Sequence, residues 1–225
     1  MPGILFIVAT PIGNLEDITH RAVRVLKEAD LIACEDTRHA LKLLNRYEIR
    51  KELLSFHEPR ERERLPLLMD RLRRGQNVAL ISDAGTPAIS DPGFRLVREA
   101  VKDGIRVVPV PGPSAVAAAL CAGGLPTHRF LFLGFPPPKK EAVRKRLIAV
   151  RDEEGTLVFY LPGRKLLEFC GLVKDTLGDR PMVVAREMTK IHEEFSRGGP
   201  SEIIQLYENK QIKGELTILV GGKSE

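Results

Sequence analysis

The chain has 225 residues, 43% hydrophobic and 29% charged, which is enough to bury a sizeable core in one large or two small domains. A formal charge of +5 and a pI of about 9.2 fit a polyanionic partner. Aromatic residues at 5%, with no Trp, argue against a base-stacking platform for single strands.

The three cysteines, Cys34, Cys121 and Cys170, and the five histidines are scattered, so neither a disulfide framework nor a metal cluster is expected. After Met1-Pro2-Gly3 the chain runs directly into an apolar segment, without a secretory signal pattern. The longest uncharged stretch, 107–128, is interrupted by Pro109, Pro111, Pro113 and Pro126 and makes a poor membrane span. A cytoplasmic protein is expected. There is no G-x-S-x-G, H-E-x-x-H or Walker lysine motif, so hydrolase, zinc-enzyme and P-loop chemistry lack support.

In chain order, residues 5–8 read as a buried strand, being short, apolar and β-branched at the end. Ile18, Ala22, Val25, Leu26 and Ala29 then fall on one helical face. A strand over 31–33 is followed by a helix that Thr37 could cap. Leu65, Leu68, Met69 and Leu72 mark a further helix, 78–81 a strand, and Phe94, Val97 and Val101 another helix. A strand over 105–110 runs into Pro109-Val110-Pro111-Gly112-Pro113, where neither strand nor helix can continue. Ser114 can cap an Ala-rich helix over 115–122. Strands near 130–133, 156–161, 182–186 and 215–220 alternate with helices near 139–151, 165–177 and 200–209. The pattern predicts two α/β lobes, 1–112 and 113–225, each a mainly parallel or mixed sheet flanked by helices, with a cleft between them.

The candidate site residues cluster after strands, where open α/β sheets bind ligands. Thr10-Pro11-Ile12-Gly13-Asn14 is either a ligand loop or an ordinary strand-to-helix turn. Ser82-Asp83-Ala84-Gly85-Thr86-Pro87 is rich in small residues and favours a binding role, while Ser90 or Asp91 can cap the next helix. Pro111-Gly112-Pro113-Ser114-Ala115 places helix amides where an anion or carboxylate could sit, or forms a rigid hinge. Glu35-Asp36-Thr37-Arg38 could orient a substrate hydroxyl or form a self-satisfied cap and ion pair. In Glu187-Met188-Thr189-Lys190, the lysine could hold a phosphate or act as a base, or be a surface lysine.

In their order along nearly the whole chain, these motifs resemble those of the bacterial ribosomal small-subunit RNA cytidine 2′-O-methyltransferases, within the tetrapyrrole methylase superfamily. The resemblance implies a two-lobed homodimer with S-adenosylmethionine in the cleft, no metal, and 16S ribosomal RNA within the small subunit as substrate. It implies cofactor contacts at Pro11, Ile12, Asp83, Gly85, Thr86, Ser114 and Ala115, and further ones at Leu161, Ala185 and Gly214. A ribose hydroxyl is a weak nucleophile and calls for a base; the candidates are Lys190, Glu187, Glu35 and Asp36. Arg38, Lys190 and Asn14 are candidates to hold the RNA. The segment Leu161-Pro162-Gly163-Arg164-Lys165 departs from the family's usual Glu-Ser-Pro-His-Arg, so no catalytic or RNA-contact role of that glutamate or histidine carries over. Two other classes stay open: a methyltransferase for a porphyrinoid, and a non-catalytic RNA-binding protein of the same fold.

Overall fold

The computed structural model describes residues 1–223, Glu58 through its main chain alone. The chain forms two compact units, Met1–Ser114 and Ala115–Glu225.

In the first unit, β1 (Ile4–Val8), β2 (Leu31–Cys34), β3 (Glu52–Ser55), β4 (Val78–Ile81) and β5 (Arg106–Val110) pair in the order β3-β2-β4-β1-β5, all parallel. Helices α1 (His20–Glu28) and α2 (Thr37–Arg46) bury Val25, Leu26, Ala40 and Leu44 with Val8, Ile32 and Ile81 on one face. Helices α3 (Glu61–Arg73) and α4 (Phe94–Lys102) bury Leu68, Leu72, Leu96 and Ala100 with Leu5, Ala33 and Leu80 on the other. The chain moves one way along the sheet to β3 and then back; right-handed crossovers therefore place the two helix pairs on opposite faces. Strands covered on both faces read as unbroken apolar runs, which is why β1, β2 and β4 are legible.

Two local expectations, both of helix caps, need correction. The cap of α2 is Asp36, not Thr37: its Oδ1 accepts the Arg38 amide at 2.8 Å. Neither Ser90 nor Asp91 is the cap of α4. Gly93 takes that position at φ 129°, and its amide donates to Glu61 Oε1 at 3.2 Å, a cap supplied by another helix. The core face of α4 carries Leu96 and Ala100, while Phe94 and Val101 are 63% and 62% exposed. Gly93 abuts Leu80, where a Cβ would come within 2.6 Å of its Cδ2, so contact as well as backbone opposes a side chain there.

In the second unit, β6 (Phe130–Gly134), β7 (Thr156–Pro162), β8 (Met182–Arg186), β9 (Glu194–Gly198) and β10 (Glu215–Val220) pair in the order β6-β7-β10-β8-β9. Only β6–β7 is parallel, so this sheet takes the mixed form of the expectation and is largely antiparallel. A hairpin connection between β8 and β9 makes that possible. One face packs beneath α6 (Lys140–Ala149), α7 (Leu166–Leu177) and α8 (Pro200–Tyr207). On the other, α5 (Ala115–Gly123) lies against the sheet where Gly123 meets Leu219 and Val183. No helix among the described residues is long and apolar enough to cross a membrane.

Candidate functional site

Because all five strands of the first sheet are parallel, the loops after them share one edge. Helices launched from β2 and β1 cover one face and the helix launched from β4 covers the other, so β4 sits between two topological switch points.

At the β1/β4 switch point the loops are tied together. Thr10 and Gly85 form an antiparallel bridge, with amide-to-carbonyl distances of 2.8 and 3.0 Å. The buried Thr10 hydroxyl donates to Ser82 O at 3.1 Å, and Thr86 Oγ1 donates to Pro113 O at 3.3 Å. Gly85 has φ 79°, so a side chain there would be strained by the backbone, although a Cβ would meet Ile12 and Pro113 only at ordinary contact distances. Ala88 (φ 67°) and Ser90 (φ 62°) hold left-handed backbone without being glycine, a cost that persists only where surroundings dictate the shape. Pro11, Ile12, Gly85, Thr86 and Ser114 are thus brought together, with Ala115 opening α5 next in the chain. Asn14 instead caps a short 3-10 turn, accepting the Glu16 amide at 3.1 Å.

At the β2/β4 switch point lies a pocket of about 530 Å³ lined by Glu35, Asp36, Thr37, Arg38, Ser55, His57, Pro59 and Asp83. Asp83 Oδ1 accepts the Asp36 amide at 3.1 Å, joining the β4 loop to the β2 loop. Asp36 also receives Arg38 Nε at 3.1 Å and Nη2 at 2.7 Å, a two-pronged ion pair. The Arg38 side chain and amide hold the Asp36 carboxyl well below the usual carboxylate range. Beneath the pocket, Cys34 is pushed up to about 12 by burial and by the charges of Asp83 and Asp36, so it stays a thiol. Ser55, His57 and Pro59 were not foreseen, because β3 carries only Leu53 and Leu54 as apolar signal and went unrecognised. Among the described residues no group of His, Cys, Asp and Glu is arranged to hold a metal ion.

In the second unit, antiparallel pairing gathers the ends of β7 and β8 and the start of β10 at one sheet end. Glu215 pairs with Pro162, and Leu216 with Arg186. Gly214 accepts the Gly163 amide at 2.8 Å, and a Cβ on it would come within 3.1 Å of Glu187 Oε1. Glu187 and Thr189 adopt φ 49° and 67°, unusual above all for a β-branched threonine. The loop is held by Lys190 N to Glu187 O at 3.0 Å and Thr189 N to Glu193 Oε2 at 2.6 Å. Lys190 Nζ lies 3.2 Å from Glu187 Oε2. Leu161 and Ala185 are buried, Leu161 in the core beneath the helices and Ala185 paired to strands on both sides. In the divergent segment, Gly163 is demanded by Ile212, whose carbonyl oxygen would lie 2.7 Å from a Cβ.

Residues 5–203 match the family model of the Tetrapyrrole (Corrin/Porphyrin) Methylases, and the chain belongs to that family. Ribosomal RNA small subunit methyltransferase I of Thermotoga maritima is 47% identical over 98% of this chain and 99% of its own length. Its namesake in Pseudomonas aeruginosa is 49% identical, covering 98% of this chain and 79% of that protein. Among solved structures, diphthine synthase superposes with a TM-score of 0.75 at 14% identity, covering 97% of this chain and 90% of that one. A Thermus thermophilus uroporphyrin-III C-methyltransferase complexed with S-adenosylhomocysteine gives 0.68 at 20% identity, with 97% of both chains covered. These structural likenesses bear on the fold alone.

Proposed function

We propose that the protein methylates the ribose 2′-hydroxyl of a cytidine in the decoding region of 16S ribosomal RNA, using S-adenosylmethionine, as a homodimer acting on the small subunit. The observation that carries this reading is 47% identity, along 98% of the chain, to a ribosomal RNA small subunit methyltransferase.

The residues present fit the cofactor. The bridged loops at Pro11, Ile12, Gly85 and Thr86 offer main-chain groups with few side chains in the way. Ser114 and Ala115 open α5, whose first amides suit the cofactor's carboxylate. When bound, S-adenosylmethionine supplies a methyl group made electrophilic by its sulfonium. The chain's own task is to align the hydroxyl and take its proton. Glu187 is the base in this reading, held in a strained loop with Lys190 beside it. Lys190 also offers its charge to a flanking phosphate, as does Arg38, whose side chain is 88% exposed. Asp36, committed to its cap and to Arg38, serves structure rather than proton transfer.

The test is transfer of tritiated methyl from S-adenosylmethionine to small subunits from a strain lacking this modification, with the labelled nucleotide mapped. Label on a cytidine 2′-oxygen is expected. Label in a porphyrinoid, or cofactor binding with no RNA labelled, overturns the substrate. Glu187→Gln should lower kcat by roughly 10²–10⁴-fold while cofactor affinity holds. Full turnover in that variant removes Glu187 as the base.

A further inference from the structure

We infer that the face of the first unit formed by α1 and α2 is the docking surface for the phosphate backbone of the substrate RNA. The inference rests on the RNA reading above and says where on the molecule the RNA is held.

The two faces of the parallel sheet carry their charge differently. On one, α1 and α2 present six basic side chains, Arg21, Arg24, Lys27, Arg38, Lys42 and Arg46, and a single acid within the helices, Glu28. On the other, α3 and α4 hold seven bases and four acids. Among the described residues, every one of those seven except Arg62 is in an ion pair, as Arg73 is with Asp103 and Lys102 with Glu99. On the α1–α2 face only Arg24 and Arg38 are paired, with Glu28 and Asp36. Arg21, Lys27, Lys42 and Arg46 are exposed and make no ion pair among the described residues.

Charges of both signs, interspersed as on α3 and α4, make an ordinary solvated face. The α1–α2 face is built against local helix preferences instead. Neither helix has an acid in its first turn, and Arg21 and Arg38 stand there, where the helix dipole disfavours a cation. Along α2, Arg38, Lys42 and Arg46 recur at every fourth residue, so like charges meet one turn apart and weaken the helix. Local costs that bring no gain within the fold mark a surface shaped for an external anion. The spacing suits a polyanion. Four helical residues rise about 6 Å, so α2 offers a cation at each such step, beginning with Arg38 on the wall of the β2/β4 pocket. α1 widens the surface: both helices bury their apolar sides in one core, and Tyr47, which closes α2, donates its hydroxyl to Leu15 O ahead of α1 at 2.6 Å. Lysine and arginine so arrayed hold phosphates by charge, which fixes position without reading sequence.

The experiment measures filter binding of small subunits between roughly 50 and 200 mM salt for two variants of equal charge. One combines Arg21→Gln, Lys27→Gln, Lys42→Gln and Arg46→Gln. The other combines Arg62→Gln, Arg74→Gln, Arg98→Gln and Lys102→Gln on the α3–α4 side. All eight positions are exposed, and glutamine is a good helix former. The first variant should lose at least about tenfold in affinity, and its slope of log affinity against log salt should flatten by about 2–3. Calorimetry should show native affinity for S-adenosylmethionine. The slope of the second variant should change by less than about 1. Equal flattening in both would mean that binding follows net charge alone; that result, or an unchanged slope in the first variant, overturns the surface and leaves the RNA reading standing. A changed sedimentation mass with an unchanged slope assigns the face to a second copy of the chain and equally overturns it. A native protein that neither binds nor labels small subunits overturns both readings. Should the first variant lose its helical circular dichroism, Lys42→Gln/Arg46→Gln is compared with Arg98→Gln/Lys102→Gln, and equal slopes in that pair overturn the surface.

Discussion

Asp36 shows how one carboxylate is committed. It caps α2, and it grips Arg38 with both oxygens while most of the guanidinium remains in solvent. Its pKa lies below the ordinary aspartate value, chiefly because of the Arg38 side-chain hydrogen bonds. For a group shifted down by folding, the stabilising contribution is present above the unfolded value of about 3.9 and is lost as pH falls through the folded one. Carbon-detected NMR should therefore find Asp36 ionised at about pH 3, where a free aspartate is largely protonated. In Arg38→Ala the titration should move up toward the ordinary range; an unmoved midpoint would show that the cap alone suffices. Thr10 is the opposite case, a buried hydroxyl whose partner is the Ser82 carbonyl. Thr10→Val keeps the shape and removes the donor, and should cost about 1 kcal/mol in urea unfolding. It should also weaken cofactor binding, since the β1 and β4 loops lose one of their ties.

At the scale of the element, α4 separates what apolar spacing says from what contact decides. Phe94 and Val101 lie outward, Phe94 with the Arg98 guanidinium 5.8 Å from its ring centroid. Leu96 is fully buried against the sheet. Leu96→Ala should therefore destabilise by about 2–5 kcal/mol. Phe94→Ala should stay below about 1 kcal/mol, and the reverse ranking in thermal unfolding would contradict this register. The β8–β9 connection is held differently. Its ends are pinned by the Arg186–Glu194 pair at 3.2 Å and by strand pairing. Glu194 is also bonded by Ser196, which meets the buried Tyr207 at 2.8 Å. Burial works to raise the Glu194 pKa, but these hydrogen bonds prevail and lower it, so the pair with Arg186 survives mild acid. This anchoring is what lets Glu187 and Thr189 keep left-handed backbone on either side of the buried Met188.

At the scale of the whole molecule, the net charge of +5 predicts RNA binding dominated by phosphate contacts. Affinity for small subunits should fall at least about tenfold between roughly 50 and 200 mM salt, measured by filter binding. Binding that ignores salt would point to a neutral ligand. Sedimentation equilibrium should give about twice the 25.1 kDa chain mass if the proposed homodimer forms.

The order of alternating strands and helices was readable because a strand buried on both faces must be apolar throughout and a covering helix must repeat every three to four residues. The loops after β1, β2, β4, β5 and β8 were readable as well, since glycine, proline and clustered charge stand out after such strands. Two of the edge strands, β3 and β9, were not. The polar Glu194–Gly198 and the four-residue Glu52–Ser55 carry almost no local pattern, and only pairing with β8 and β2 makes them strands. Nor could local spacing join Glu61 to Gly93, or bring Ser55 and His57 beside Glu35, because those relations join segments far apart in the chain. The sequence by itself determined which segments are strands buried on both faces and where the glycine- and proline-rich loops follow their ends. Only tertiary structure decided strand order, the direction of pairing in the second sheet, and which side chains share a pocket. Hydrophobic periodicity is a property of one segment, whereas a switch point exists only once strands lie side by side.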